Sequence, residues 1–153
     1  KVGVDTFFVS PGNRNSPLLM ALSFHPKAEV ISVIDERSAA FMALSFSKSG
    51  KSIPALICTS GGAQFNYLPA MMEAAHSQTP LLVITATRTL EEKNRRENQS
   101  LITNGIASSH ICNRELAHYT QEVDEERLLP SFISALSPLL FQKRFYILYV
   151  SNK

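Results

Sequence analysis

The sequence predicts a doubly wound α/β domain, with a mainly parallel sheet of about six strands and helices on both faces. Strand-like and helix-like segments alternate along the chain. The strand-like segments are continuous apolar runs, which are typical of strands covered by helices on both sides. Since 153 residues suit one domain, we expect a single domain over residues 1–153.

Each predicted strand is a run of mostly β-branched or other apolar residues that stops at turn residues. The first stops at Ser-Pro-Gly, the second at an acidic pair and the third at Ser-Gly-Gly. The second is predicted to be a buried strand. In chain order the predicted strands are Thr6–Val9, Val30–Ile34, Ile53–Cys58, Leu81–Ala86, His110–Leu116 and Phe145–Val150.

Helices are predicted where apolar residues return at helical spacing after a turn. Asn15 is placed to cap the first helix, Pro17 falls in its first turn, and Leu18, Leu19 and Leu22 face the core. Four helices are predicted. The first begins at about Ser16, and the second runs from the Asp35–Glu36 pair to about Gly50. The third runs from after Ala63 to about Ala75, and the fourth from Asp124 to about Gln142.

The composition excludes several classes of protein. Hydrophobic residues make up 44% and charged residues 18%, which is usual for a core-forming globular chain. The net charge of +2 gives no case for nucleic acid or a membrane surface as partner. Cys58 and Cys112 lie in apolar runs without metal-ligand spacing, so we expect buried thiols, no metal ligands and a cytoplasmic location.

Three loops that follow predicted strands carry the candidate binding and catalytic residues. They are Ser10–Arg14, Asp35–Glu36 and Ser60–Gly62. Parallel strands place such loops at one edge of the sheet, where α/β proteins bind ligands. Because the loops bring a carboxylate, an arginine and a glycine turn to this edge, a small anionic ligand is expected there. The spacing matches neither the dinucleotide nor the P-loop motif. An acidic residue in a helix's first turn also suits the helix dipole, and the residues alone leave both interpretations of Glu36 open.

Several segments resemble the pyrimidine-binding domain of thiamine-diphosphate enzymes. Others narrow the resemblance to the 2-succinyl-5-enolpyruvyl-6-hydroxy-3-cyclohexene-1-carboxylate synthases of menaquinone biosynthesis. The similarity runs from about Val2 to Gln99. The segments that carry it are Thr59–Ala63 with Asn66, Pro80–Thr85, Ser10–Leu18, Asp35–Phe41 and Asn98–Gln99.

The resemblance implies a role for each matching residue. Glu36 matches the family's glutamate, which hydrogen-bonds a ring nitrogen of the cofactor's aminopyrimidine and takes part in catalysis. The residues matching cofactor-binding positions are Glu36, Ser60, Gly61, Gly62 and Asn66. Those matching positions that bind carboxylated substrates are Arg14, Asn98 and Gln99. The sequence departs from the family pattern at Gly62, Thr87 and Thr89.

The resemblance also implies a reaction and partners. Family members decarboxylate 2-oxoglutarate and join the product to isochorismate. A Gly-Asp-Gly motif in a separate C-terminal domain holds magnesium and the diphosphate of thiamine diphosphate, and that motif is absent from this sequence. We therefore expect an inactive piece of a three-domain enzyme that forms a homodimer or homotetramer. The open alternatives are a subunit of a two-subunit 2-oxo acid decarboxylase and a non-catalytic small-anion-binding or interaction module.

Overall fold

A computed structural model of the chain describes residues 4–87, 95, 119–123 and 145–151. Its strands are β1 (Thr6–Val9), β2 (Glu29–Ser32), β3 (Ala55–Cys58), β4 (Leu81–Thr87), β5 (Tyr119–Val123) and β6 (Phe145–Ser151). Its α-helices are α1 (Ser16–Ser23), α2 (Glu36–Lys48) and α3 (Leu68–His76). The described strands form one sheet in the order β2-β1-β3-β4-β6-β5, and every neighbouring pair is parallel. This confirms the predicted fold class.

The two faces of the sheet carry separate hydrophobic cores. Alternation along the strands sends Phe8 and Leu56 to the face covered by α2 and α3, and Val9 and Ile57 to the face covered by α1. Leu56 and Ile57 are almost completely buried, and burial of each such side chain is worth about 1.5–3 kcal/mol. Helices on both faces were predicted, and the two cores confirm them.

The first four predicted strands lie within a few residues of their observed positions. β3 begins at Ala55 rather than at Ile53, because Pro54 has no amide hydrogen to donate to a neighbouring strand. The third predicted helix is divided, because its first part, Gly61–Tyr67, is a 3-10 helix that continues into α3. Pro69 falls in the first turn of α3, where proline is tolerated.

The prediction of a buried strand at Val30–Ile34 is wrong in both extent and burial. β2 ends at Ser32, lies at the edge of the described sheet, and has only exposed or half-buried residues. Ile34, in the turn that follows, is 88% exposed. A strand paired on one side only can carry apolar residues without burying them, and a local sequence pattern does not reveal position within a sheet.

The later part of the chain is described only in part. β6 confirms the last predicted strand, whereas β5 was not predicted, because Thr120, Gln121 and Glu122 interrupt any apolar run. The strand predicted at His110–Leu116, the helix predicted at Asp124–Gln142, and Cys112 lie outside the described residues. Within the described ranges, no helix has the length and apolar character needed to cross a bilayer.

Candidate functional site

Three neighbouring strands present their carboxyl ends at one edge of the sheet. β1 lies between β2 and β3, so the chain leaves β1 toward one side and later returns on the other. Such a reversal of strand order opens the crevice in which α/β proteins bind ligands. The loops that join these strands to the next α-helices are 10–15, 33–35 and 59–67, and the first and third of them include 3-10 helices. The prediction that they share one edge is confirmed.

Glu36 stands at the start of α2 and is held by a partner distant in sequence. The N-cap of α2 is Asp35, whose Oδ1 accepts a hydrogen bond from Ser38 N at 2.7 Å, and this bond lowers the pKa of the Asp35 carboxyl. The half-buried Glu36 accepts through Oε2 from Asn66 Nδ2 at 3.2 Å. A favourable helix dipole alone does not account for this contact, which joins the start of α2 to the segment between β3 and α3.

The loop after β3 combines open backbone with buried hydroxyl groups. Gly61 has φ 75°, a left-handed conformation that favours glycine. Gly62 is exposed, and a Cβ placed on it would meet no atom within 4 Å. Thr59 Oγ1 and Ser60 Oγ are buried and have no hydrogen-bond partner in the described structure. Buried hydroxyl groups normally find a partner, so these two are candidates for contacts with a bound molecule.

A buried polar cluster, which was not predicted, lies beneath the site. Cys58 and Thr85 are neighbours in the β3–β4 register, and Tyr67 is fully buried nearby. Burial raises the pKa of both the Cys58 thiol and the Tyr67 hydroxyl. Cys58 therefore remains a protonated thiol, and its predicted burial is confirmed. Tyr67 gave no signal in the sequence, since it falls within an otherwise ordinary helix start.

Arg14 lies in a short 3-10 helix, Asn13–Asn15, between β1 and α1, and its side chain is half-buried. Asn15 occupies the N-cap position of α1, but the expected capping role of its side chain is wrong, because that side chain makes no capping bond. It bonds inside the preceding loop, where Oδ1 accepts from Gly12 N at 2.8 Å. Asn98 and Gln99, the other predicted substrate residues, lie outside the described residues.

Gly12 touches the loop after β3. A Cβ placed on Gly12 would lie 2.7 Å from Thr59 Cβ, closer than packed atoms tolerate. We therefore expect Gly12→Ala to lower the free energy of unfolding by about 1–3 kcal/mol, measured by urea denaturation. Gly62→Ala is the matched control, since open space surrounds that position and stability should be unchanged. Equal stability of the two variants would contradict close packing of the two loops.

The described residues contain no group of three histidine, cysteine, aspartate or glutamate side chains arranged to hold a metal ion. In the described part of the chain, the polar groups near this edge include the Asp35 and Glu36 carboxylates, the Asn66 amide, the Thr59 and Ser60 hydroxyls and the Arg14 guanidinium. This mixture of acidic, neutral and basic groups suits an organic ligand that forms hydrogen bonds better than a metal ion, which prefers several carboxylate or imidazole ligands.

Residues 1–125 match the protein family described as thiamine pyrophosphate enzyme, N-terminal TPP binding domain. The match spans most of the chain, and the chain belongs to this family. The predicted resemblance to the pyrimidine-binding domain of thiamine-diphosphate enzymes is confirmed, and the thiamine diphosphate cofactor follows from the family.

Within that family the chain is similar to one group of enzymes in particular. It is 45% identical over 100 residues to the 2-succinyl-5-enolpyruvyl-6-hydroxy-3-cyclohexene-1-carboxylate synthase of Trichodesmium erythraeum, covering 65% of this chain and 17% of that protein. It is 36% identical over 137 residues to the synthase of the same name from Christiangramia forsetii, covering 90% of this chain and 22% of that protein. The chain thus spans about a fifth of the length of these curated relatives.

The fold is also that of a solved decarboxylase. Benzoylformate decarboxylase from Polynucleobacter necessarius superposes with a TM-score of 0.81 at 17% identity, over 98% of this chain and 27% of that protein. At this level of identity the likeness concerns the fold alone.

Proposed function

We propose that the chain is the pyrimidine-binding domain of a longer synthase that decarboxylates 2-oxoglutarate and joins the product to isochorismate. The observation that carries the proposal is the bond of Asn66 to Glu36 at the carboxyl edge of the sheet, beside the loop that holds Arg14. Similarity to the synthases, which covers 90% of this chain in one of them, supports it.

Residues of two loops would hold the aminopyrimidine end of the cofactor. Glu36 would hydrogen-bond a ring nitrogen, and Asn66 would keep the carboxyl group in place. Gly61 and Gly62 would let the ring approach the backbone, while the unpartnered Ser60 Oγ would gain a polar contact. The site fits this group on those grounds. When bound, thiamine diphosphate supplies the electron sink that decarboxylation of a 2-oxo acid requires.

The substrate side of the site would depend on Arg14. A guanidinium group binds a carboxylate through two parallel hydrogen bonds, which suits a dicarboxylic 2-oxo acid. Asn98 and Gln99 would bind the carboxylated substrates as well, by the resemblance. These roles leave the cofactor side to Glu36, so the two ends of the site can be tested separately.

The other half of the site would come from a separate domain. Magnesium and the diphosphate group would bind to the C-terminal domain of a three-domain enzyme, and residues 1–153 would form one domain of it. The active site would lie between two subunits of a homodimer or homotetramer in the cytoplasm. The small share of each relative that the chain covers is consistent with this arrangement.

The direct test is turnover by the full-length protein with thiamine diphosphate, magnesium, 2-oxoglutarate and isochorismate. Product formation that needs both substrates supports the synthase. Release of carbon dioxide from a 2-oxo acid without any need for isochorismate would indicate a simple decarboxylase instead. A correctly folded protein that catalyses neither reaction would be a non-catalytic module.

The isolated domain, residues 1–153, should bind thiamine diphosphate weakly or not at all, even with magnesium. It supplies the pyrimidine side of the site but no diphosphate or metal motif. Calorimetric titration of this domain and of the full-length protein, side by side, measures the difference. Sub-micromolar binding by the isolated domain would contradict the division of the site between two domains.

A further inference from the structure

Ser10 connects the loops after β1 and β2 with strand β3. It lies just past the end of β1 and is 2% exposed. Its backbone N–H donates to Ile57 O on β3 at 2.9 Å, and its Oγ donates to Val33 O at 2.8 Å. Its carbonyl accepts from Asn15 Nδ2 at 2.9 Å. One buried residue therefore bonds to β3, to the segment before Glu36 and to the loop that carries Arg14.

The bond to Val33 bears on Glu36. Val33 N donates to Val9 O at 2.9 Å, so both backbone polar groups of Val33 are bound to the end of β1. Only Ile34 and Asp35 separate this anchored residue from Glu36. Without the Ser10 hydroxyl, the Val33 carbonyl would lose its partner and the short turn before Glu36 would gain freedom to move.

The bonds of Asn15 bear on Arg14. The Asn15 side chain is fully buried, and its amide spans the loop by donating to Ser10 O and accepting from Gly12 N. Arg14 lies between Gly12 and Asn15, and the Asn15 amide ties these two residues together, so the Arg14 backbone has little freedom. Loss of the amide would leave two buried or partly buried backbone groups without a partner.

We propose that Ser10 and Asn15 are positioning residues, Ser10 for Glu36 on the cofactor side and Asn15 for Arg14 on the substrate side. This inference rests on the proposed function, since it assigns each hydrogen bond to one end of that site. It differs from a general structural role because the two bonds should affect different steps. A loss of overall stability would affect both ends together.

The test compares Ser10→Ala with Asn15→Ala in the full-length protein loaded with thiamine diphosphate and magnesium. Ser10→Ala should slow exchange of the proton on the thiazolium carbon and lower kcat about tenfold, with little change in the KM for 2-oxoglutarate. Asn15→Ala should raise that KM about tenfold and leave the proton exchange nearly unchanged. Ser10→Thr, which keeps the hydroxyl, should restore the exchange rate.

Amide hydrogen exchange without cofactor gives an independent readout. Ser10→Ala should speed exchange over residues 33–37, whereas Asn15→Ala should speed it over residues 12–15, including the Gly12 amide. Ser23→Ala is the control, because it removes an exposed hydroxyl that donates to Met20 O at 2.8 Å within α1, outside both segments, and should change neither kinetics nor exchange over them. If an alanine variant fails to fold, Asn15→Asp and Ser10→Cys, which nearly keep the volume, take its place.

If either variant impairs thiazolium proton exchange and the KM for 2-oxoglutarate equally, the inference is wrong. Both residues would then have only a general structural role. If the parent protein shows no turnover, the proposed function is wrong. In that case hydrogen exchange still decides the positioning: separate loosening of the two segments supports it, and joint loosening overturns it.

Discussion

Replacement of Glu36 by glutamine in the full-length protein is expected to lower kcat by ~10²-fold or more, the usual contribution of a positioned acid–base group. Glutamine keeps the shape and can still accept the bond from Asn66 Nδ2. It lacks the carboxyl group that would hydrogen-bond the cofactor ring. Steady-state turnover measures the loss, and exchange of the thiazolium proton should fall in parallel.

Glu73→Gln is the matched control for this change. Glu73 is also a helical carboxylate, and its Oε1 pairs with Lys48 Nζ at 2.6 Å on the surface of the domain, away from the loops. Turnover by this variant should equal that of the parent. If Glu36→Gln also retains normal turnover and merely lowers stability, Glu36 serves only the helix dipole and the assignment of the cofactor site is wrong.

Replacement of Arg14 by alanine should remove substrate capture and leave the cofactor side of the site intact. A desolvated charge pair that loses one partner typically costs about 2–5 kcal/mol. The corresponding loss in kcat/KM for 2-oxoglutarate or isochorismate is about 30-fold to several thousand-fold. Thiazolium proton exchange, measured on the same preparation, should continue at the parent rate.

Lys27→Ala provides the same change in net charge at a distant place. Lys27 is exposed and precedes β2, so it lies toward the amino ends of the strands, opposite to the loops. The kcat/KM of the Lys27→Ala variant should equal that of the parent protein. Unaltered turnover by Arg14→Ala with both substrates would make Arg14 an ordinary surface residue and remove the main support for the substrate assignment.

The candidate site could be predicted in outline because its parts lie at strand ends, where turn residues are visible in sequence. The contact of Glu36 with Asn66 could not be predicted, since the two residues are 30 positions apart and meet only through the sheet order. Ser10 is likewise visible in the sequence as the residue that follows β1. Only the fold shows that its hydroxyl bonds to Val33 O. Spacing reveals which edge a residue occupies but not which partner it finds there.

The fold was predicted to a similar depth. Continuous apolar runs located β1, β3, β4 and β6, which each pair with a neighbour on both sides. Strands in the interior of a parallel sheet are typically rich in apolar residues. The same criterion misjudged the burial of β2 and missed β5, which both lie at the edges of the described sheet. Edge strands have one open side, so their sequences satisfy weaker requirements and follow the pattern less closely.

During synthesis, the four strands that precede residue 88 can pair before the rest of the sheet exists. The outer side of β4 receives its neighbour only later, since Leu81 pairs with Phe145. Non-local parallel pairing is slow, and an unpaired strand edge invites association with other chains. The half of the sheet that carries the three loops can therefore form first, and the edge of β4 stays open to other chains until β6 pairs with it.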